Sequence, residues 1–299
     1  MKSLTHRFCK TAILLYVLTF PFMATGQPTK ANASFIDRFV NAMAFEYQLG
    51  EAPETIRLQF EQNPLQLASA ANEQMLEQFD KAYETNQLLS DFKSALKNEF
   101  TSEYQPKITD WLARNYVQEI SQARRDYHTL QGKRKRIITR YDLDQSPAAE
   151  SRKKMISTLT ETTSAGESSI ESSVIVFRSV LKALSQLSTQ RNFSDVQIEG
   201  IINNFRQQQQ NQAANSFNRE QLIMYNQVSE DVLERYISFW NTETGRWLDK
   251  AISESLQAAY QQSAKRFLES VNSNWSATSP KTPTLNLWLW RIEYFCSAW

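Results

Sequence analysis

Ser151 and Lys154 stand three residues apart, and side chains at this spacing can act together as a catalytic pair. A lysine one helical turn from a serine can activate the hydroxyl, as in exported penicillin-recognising enzymes with a Ser-x-x-Lys pair. The same spacing recurs at Ser90 and Lys93, so it arises easily by chance. The Ser-Asp-Asn and Lys-Thr-Gly sequences that accompany the pair are incomplete here. A serine hydrolase using Ser151 and Lys154 is therefore an alternative hypothesis, not the first.

Histidine and cysteine are too scarce for the common metal sites. The chain has two of each among 299 residues, whereas a closed zinc site needs four nitrogen or sulfur ligands. An arginine stands three residues before His128, which excludes the Glu-x-x-His pair of di-iron helical bundles there. We predict no metal and no cofactor, and we expect His128 to have a structural role.

Residues 124–154 concentrate positive charge, with ten basic and four acidic side chains. Such a patch can attract phosphate-rich lipid headgroups or an acidic partner. A solvated helical face that pairs with acidic residues elsewhere would give the same pattern. We call the ten basic residues the basic island: Arg124, Arg125, Lys133, Arg134, Lys135, Arg136, Arg140, Arg152, Lys153 and Lys154.

Small hydroxyl side chains dominate the next segment, with ten serine or threonine residues in positions 157–173. Side chains of this size let helices approach closely, or they can line a pocket. Close packing is the simpler interpretation, and a lined pocket stays open as the alternative.

Residues 1–26 are predicted to be a secretory signal, and the helices that position the residues above follow it. It has a basic start, an uncharged run over 11–23 and small residues before Gln27. The run is shorter than the ~20 residues of a membrane span. Removing the signal takes away three basic residues and changes the net charge from +1 to −2. These features predict export to the periplasm of a Gram-negative bacterium.

Apolar residues recur at helical spacing along nearly the whole remaining chain, and strand-like alternation is rare. We predict an all-α protein, either a helical bundle or an irregular array of about ten helices. We expect a break over 141–147, a long helix starting at Ser146-Pro147, and helix caps at Ser194 and Ser229. The two helical halves, 27–145 and 146–272, are expected to form one continuous domain.

Residues 273–299 differ from the helical body. A Ser/Thr/Pro linker is followed by a segment rich in tryptophan and tyrosine, which includes Trp288 and Trp290. Such side chains favour a membrane interface or a partner surface. A strand or helix folded back onto the core, or a poorly ordered appendage, is the alternative.

The segment 225–248 combines a serine cap at Ser229, a Tyr-x-x-Phe pair at Tyr236 and Phe239, and a glycine at Gly245. This pattern resembles the C-terminal part of an uncharacterised bacterial family of exported all-helical proteins, the DUF2059-like domain of unknown function. The resemblance implies that Gly245 is a turn residue, and it offers no catalytic residue. It implies a packing role for the aromatic residues of the segment and of a degenerate earlier copy: Trp111, Tyr225, Tyr236, Phe239, Trp240 and Trp247.

These observations favour an exported, periplasmic, non-enzymatic protein that binds or scaffolds an envelope protein, lipid or polymer. Export argues against a nucleic-acid partner. Besides the serine hydrolase, one further alternative stays open, which is association with a membrane surface through the basic island and the Trp-rich tail.

Overall fold

The computed structural model describes residues 33–62, 69–187 and 193–274, and their regular structure is α-helical. The predicted signal peptide and residues 275–299 of the predicted tail lie outside the described residues. An irregular all-α array is thus confirmed, with more helices than the predicted ten. The helices in the described part are α1 (Ala33–Ala42), α2 (Phe45–Gln48), α3 (Glu51–Gln62), α4 (Ser69–Ala82), α5 (Thr85–Glu99), α6 (Tyr104–Leu112), α7 (Asn115–His128), α8 (Leu130–Gln145), α9 (Glu150–Thr162), α10 (Ala165–Leu187), α11 (Asp195–Met224), α12 (Glu230–Trp240) and α13 (Glu243–Asn274).

The long helix α13 organises the core, because it packs along both α5 and α10 and also contacts α4. Phe267 on α13 is fully buried, and its ring meets that of Phe79 on α4 edge to face, with centroids 5.6 Å apart. Residues before and after position 146 belong to the same hydrophobic cluster. A buried hydrogen bond of 2.8 Å between the hydroxyls of Tyr83 and Ser179 also joins the two halves.

The predicted break over 141–147 was wrong at its start, because α8 stays helical through Gln145. The backbone N–H of Ser146 donates to the carbonyl of Asp142 at 2.7 Å, so Ser146 closes the preceding helix. The next helix begins at Glu150, with Ala149 as an N-cap that has no side-chain hydrogen bond. Ser146-Pro147 therefore ends one helix and does not begin the next.

The long helix predicted after Pro147 is in fact two helices, which separate at Thr163 and Ser164. The carboxylate of Asp249 on α13 accepts the backbone N–H of Ser164 at 3.0 Å and its hydroxyl at 2.6 Å. These bonds satisfy a donor that would otherwise lack an intrahelical partner at the start of α10. A side chain 85 residues away thus fixes where α10 begins.

The two predicted serine caps are confirmed. The Ser194 hydroxyl accepts from the N–H of Gln197, whose own side chain returns to the Ser194 N–H, which completes a capping box. The Ser229 hydroxyl accepts from the N–H of Val232 at the start of α12.

Two helix corners share one design. Thr129 between α7 and α8, and Thr242 between α12 and α13, each accept the N–H of a glycine three residues later. A Cβ added to Gly132 would lie 1.9 Å from the carbonyl oxygen of Asp126, and one added to Gly245 would lie 2.2 Å from that of Phe239. Both glycines are therefore needed because the preceding helix lies too close for a side chain. Gly245 lies inside the first turn of α13, so its prediction as a turn residue was wrong.

Candidate functional site

A cavity of about 180 Å³ lies where α7, α9, α10, α11 and α13 meet, beside α2 and α3. An engineered apolar cavity of ~150 Å³ is large enough to hold benzene, so this one has room for a small ring or a short alkyl chain. Apolar side chains form much of its wall: Met43, Phe45, Leu159, Phe217, Met224, Ile252 and Leu256. Polar and charged side chains occupy roughly half of the lining positions, although apolar atoms form the larger part of the wall surface. An apolar wall combined with polar groups is typical of a ligand site.

Arg124 is a cation in the wall of this cavity. It stands on the buried stripe of α7, four residues after Ile120 and seven after Val117, and this spacing turns its side chain toward the core. Its Nε donates to the hydroxyl of Tyr225 at 2.9 Å, and its Nη2 donates to the hydroxyl of Tyr236 at 3.0 Å. Both tyrosines are fully buried, so they hold the guanidinium in place.

The partners of Arg124 are neutral. Besides the two phenols, its Nη1 donates to the carbonyl of Met43 at 3.4 Å, and no acidic side chain of the described part forms an ion pair with it. A guanidinium keeps its charge at any physiological pH. A partly buried cation without an anionic partner is costly. Arg124 therefore presents a positive charge in the cavity wall that an anion could neutralise.

A second polar feature joins α7 to the start of α3. Nδ1 of His128 lies 3.6 Å from Oε1 of Glu51, and both residues line the cavity. The imidazole stacks on the ring of Tyr47, with centroids 5.4 Å apart and planes 7° from parallel. Its Nε2 is buried and has no hydrogen-bond partner among the described residues. His128 therefore lines the cavity, in addition to the structural role predicted for it.

The pKa values of this pair move in opposite directions. Burial, reinforced by Arg136, Lys133 and Arg124, lowers the pKa of His128 to about 4. The Glu51 side chain keeps 57% of its accessible surface. Partial desolvation where it meets the cavity wall raises the pKa of Glu51 to about 7, and the charge of Arg136 opposes part of the rise. At neutral pH the imidazole is uncharged and Glu51 is only partly ionised.

The Ser/Thr-rich segment supplies another wall. Ser168, Ser169 and Ser172 on α10 line the cavity, so the segment forms a pocket wall as well as a packing surface. The hydroxyl of Ser168 lies 2.8 Å from that of Ser253 on α13, which shows how closely the two helices approach. Asp249 also lines the cavity, but its carboxylate is engaged by Ser164.

The structure divides the basic island into inward and outward members. Arg124 enters the cavity, and Arg152 donates to the backbone carbonyls of Val228 and Tyr225. Arg136 lies over the ring of Tyr127 at 4.4 Å. These three arginines therefore hold the protein's own groups in place, and they do not form one surface patch.

Other members lie at the surface. Arg140 pairs with Glu220, Lys153 pairs with Glu150 at 2.8 Å, and Arg125 donates to the backbone carbonyl of Asn41. Four members are exposed and make no ion pair within the described residues: Lys133, Arg134, Lys135 and Lys154.

Most of the predicted packing residues form one aromatic cluster beside the cavity. Trp111 stacks on Phe239 with centroids 4.0 Å apart and lies 5.9 Å from Tyr236. Trp240 meets Trp111 edge to face and also lines the cavity. Trp247 lies elsewhere, since it stacks on Tyr104 with centroids 4.1 Å apart. Tyr225 reaches the cluster through Arg124, which binds both Tyr225 and Tyr236.

Ser151 and Lys154 are exposed on α9, away from the cavity wall. The Ser151 hydroxyl donates to a carboxylate oxygen of Glu230 at 3.0 Å. Among the described residues, no hydrogen bond joins Ser151 to Lys154. The geometry gives the serine hydrolase hypothesis no support, and it remains an untested prediction.

Fold and site together define an all-α protein with a small cavity that is apolar over much of its wall and has a cation in it. Comparison with protein-family models, curated proteins and solved structures finds no match. Within the described ranges, no three or more His, Cys, Asp or Glu side chains lie together as a metal site. The same ranges contain no helix that is long and apolar enough to span a membrane.

Sequence reasoning missed Glu51 and treated Arg124 as one cation among ten. A signal for Arg124 existed, because the apolar stripe of α7 continues from Val117 and Ile120 straight onto it. No comparable signal existed for Glu51, which meets His128 only through the tertiary fold, 77 residues apart along the chain.

Proposed function

We propose that this protein is an exported, periplasmic, non-enzymatic binding protein that holds a small amphipathic anion in its cavity. The acidic group of the ligand binds Arg124, and its apolar part lies against the apolar wall. The observation that carries the proposal is the charged guanidinium in that wall with only neutral hydrogen-bond partners. The signal-like residues 1–26 support export.

The rigidity of Arg124 supports a role in binding. The hydroxyls of Tyr225 and Tyr236 and the carbonyl of Met43 fix the guanidinium before any ligand arrives. A group that is already ordered loses little conformational entropy on binding. Tyr225 also lines the cavity and accepts a bond from the guanidinium, so its own O–H remains able to donate to an anion there.

The volume and the wall restrict the ligand class. A cavity of about 180 Å³ is smaller than the ~300–1,000 Å³ of drug-sized sites. A carboxylate with an aromatic ring or a short alkyl chain fits both the volume and the single cation. Benzoate, hexanoate and octanoate are suitable probes of this class.

Calorimetric titration of the purified protein tests the proposal. We expect benzoate or an alkanoate to bind, while benzamide and hexanol, which are neutral, bind far more weakly. Arg124→Met should weaken anion binding ~10–100-fold, as expected for the loss of a charge-assisted hydrogen bond of ~1.5–3 kcal/mol. The matched control is Arg125→Met, which removes the neighbouring arginine from the surface and should leave binding unchanged.

A second variant separates binding from folding, since Arg124 also contributes to the buried network. Ser169→Phe places a large side chain at an exposed position of the cavity wall and leaves Arg124 in place. It should abolish binding while the protein stays folded. Equal affinity for anions and neutral analogues, or an equal loss in Arg125→Met, would show that the proposal is wrong.

A further inference from the structure

Helix α8 exposes an apolar face to solvent. Leu130, Ile137, Ile138 and Tyr141 are 71%, 72%, 62% and 65% exposed. Elsewhere in the described residues, exposed large apolar side chains occur singly, as at Val196. Leu130, Ile137 and Tyr141 follow one another at intervals of seven and four residues, so they lie on one face of the helix. We call these four residues the apolar face of α8.

The packing of the opposite side holds this face outward. Gly132 is buried against the backbone of α7, and Arg136 lies over the Tyr127 ring. Arg140 pairs with Glu220 on α11. A rotation of α8 that buried the apolar face would break all of these contacts. The outward face is therefore part of the folded structure.

Positive charge flanks the apolar face. Lys133, Arg134 and Lys135 are exposed and form no ion pair with the described residues. The whole helix carries five basic and two acidic side chains, and Asp144 is already neutralised by Arg219 at 2.6 Å. Free cations beside exposed aliphatic and tyrosine side chains are typical of helices that lie in a membrane interface.

We propose that α8 binds the surface of an anionic phospholipid bilayer. The helix lies in the plane of the interface, with its apolar face at the boundary between headgroups and acyl chains. Lys133, Arg134 and Lys135 bind lipid phosphates. Arg134, four residues from both Leu130 and Ile138, keeps its charged head among the phosphates while its methylene groups lie against the apolar side chains.

The charge pattern favours lipid over a protein partner. Lysine is depleted in the centres of protein–protein interfaces, whereas each Lys or Arg near an anionic membrane adds ~1 kcal/mol of attraction, or about fivefold in affinity. Here the unpaired cations adjoin the exposed aliphatic residues directly. An anionic lipid surface satisfies both groups at once.

Co-sedimentation of the protein without its predicted signal, residues 1–26, with vesicles tests this inference. One set of vesicles is phosphatidylcholine, and the other is an equimolar mixture of phosphatidylcholine and phosphatidylglycerol. We expect binding to the mixed vesicles and little to the neutral ones. Replacing Lys133, Arg134 and Lys135 with glutamine should weaken binding on the order of a hundredfold, and Ile137→Glu should abolish it.

Matched controls make the result specific to α8. Val196→Glu changes an apolar residue that is 82% exposed on α11, and it should leave vesicle binding intact. Replacing the exposed lysines Lys97, Lys250 and Lys265 with glutamine removes the same charge from other helices and should have a much smaller effect. Every substitution is at an exposed position, and circular dichroism verifies that each variant is folded.

Three outcomes would overturn the inference. The first is vesicle binding by Ile137→Glu equal to that of the unchanged protein. The second is a self-associating protein that Ile137→Glu renders monomeric but that binds no vesicles, since the face would then contact a second copy. The third is binding that is lost on replacing Trp288 and Trp290 with alanine but kept by the α8 variants.

Discussion

Nδ1 of His128 lies 3.6 Å from Oε1 of Glu51, in a cavity wall that also contains Arg124. The contact joins an imidazole that is hard to protonate to a carboxyl that is hard to ionise. Both pKa shifts come mainly from loss of water; nearby arginine and lysine charges strengthen the first, whereas Arg136 opposes the second. The net charge around the cavity therefore changes near neutral pH through Glu51, while His128 stays uncharged.

We predict that anion binding in the cavity weakens as the pH rises from 6 to 8. Glu51, with a pKa of about 7, becomes ionised in this range, whereas a carboxylate ligand is already fully ionised. Arg136 faces the Glu51 carboxyl as a cation, and Glu220 and Glu54 face it as anions. Unit charges ~10 Å apart at an effective dielectric of ~20 interact by ~1.7 kcal/mol, so the loss of affinity should be roughly tenfold.

Titration calorimetry with octanoate at several pH values measures this dependence. Glu51→Gln should remove it and keep the tighter affinity at pH 8. Glu54→Gln, at the neighbouring acidic position on α3, should retain most of it. An unchanged pH profile in Glu51→Gln would show that another group is responsible.

His128 should make the fold less stable in acid. Its pKa is about 4 in the folded protein and near 6.5 in the unfolded chain, so the unfolded chain takes up a proton first as the pH falls. The stabilising contribution is present above pH 6.5 and is lost as the pH falls to 4, by up to ~3 kcal/mol for a shift of this size. Glu51 acts in the opposite sense between pH 7 and 4.5, so both groups must be varied.

Denaturant unfolding of Glu51→Gln and of the double variant Glu51→Gln, His128→Phe measures this contribution. Phenylalanine keeps the ring between Tyr47 and Tyr127 but does not titrate. We expect the single variant to lose more stability than the double variant between pH 7 and pH 4. Parallel pH profiles would contradict the prediction.

Local sequence signals predicted much of the fold. The Ser194 and Ser229 caps lie within three residues of the N–H groups they satisfy, so the sequence around each one suffices to identify it. The helical spacing of apolar residues likewise predicted the all-α class. The predicted helix boundaries were wrong where a contact between residues distant in sequence determines the boundary, as between Ser164 and Asp249.

The candidate site was predictable only in part. Arg124 follows the buried stripe of α7, and the Ser/Thr-rich segment was open to a pocket interpretation. The cavity itself needs helices from positions 45 to 260 to come together, and no local pattern contains that information. Arg124 lacks an acidic partner because its nearest side-chain partners are tyrosines, which only the packing of α7 against α11 and α12 determines.

The two helix corners yield a test with an internal control. Gly245→Ala would place a Cβ 2.2 Å from the carbonyl oxygen of Phe239, and this contact is backbone that cannot move aside cheaply. We expect a loss of ~3 kcal/mol in the free energy of unfolding, from overpacking. Gly200 lies on α11 with nothing near its Cβ position, so Gly200→Ala should stabilise the protein by ~0.5–1 kcal/mol. Similar losses in both variants would contradict this account of Gly245.

Asp249 should determine where α10 begins. Its carboxylate accepts both the N–H and the hydroxyl of Ser164, so Asp249→Ala leaves both donors without this partner. We expect a loss of ~2 kcal/mol, the upper range for a helix cap, and a smaller loss in Asp249→Asn, which keeps one acceptor oxygen. Hydrogen exchange at the first amides of α10 should accelerate in the alanine variant, while exchange at the start of α12, capped by Ser229, stays the same. If Asp249→Ala changed the exchange rate equally at both helix starts, α10 would begin at Ala165 for a reason other than Asp249.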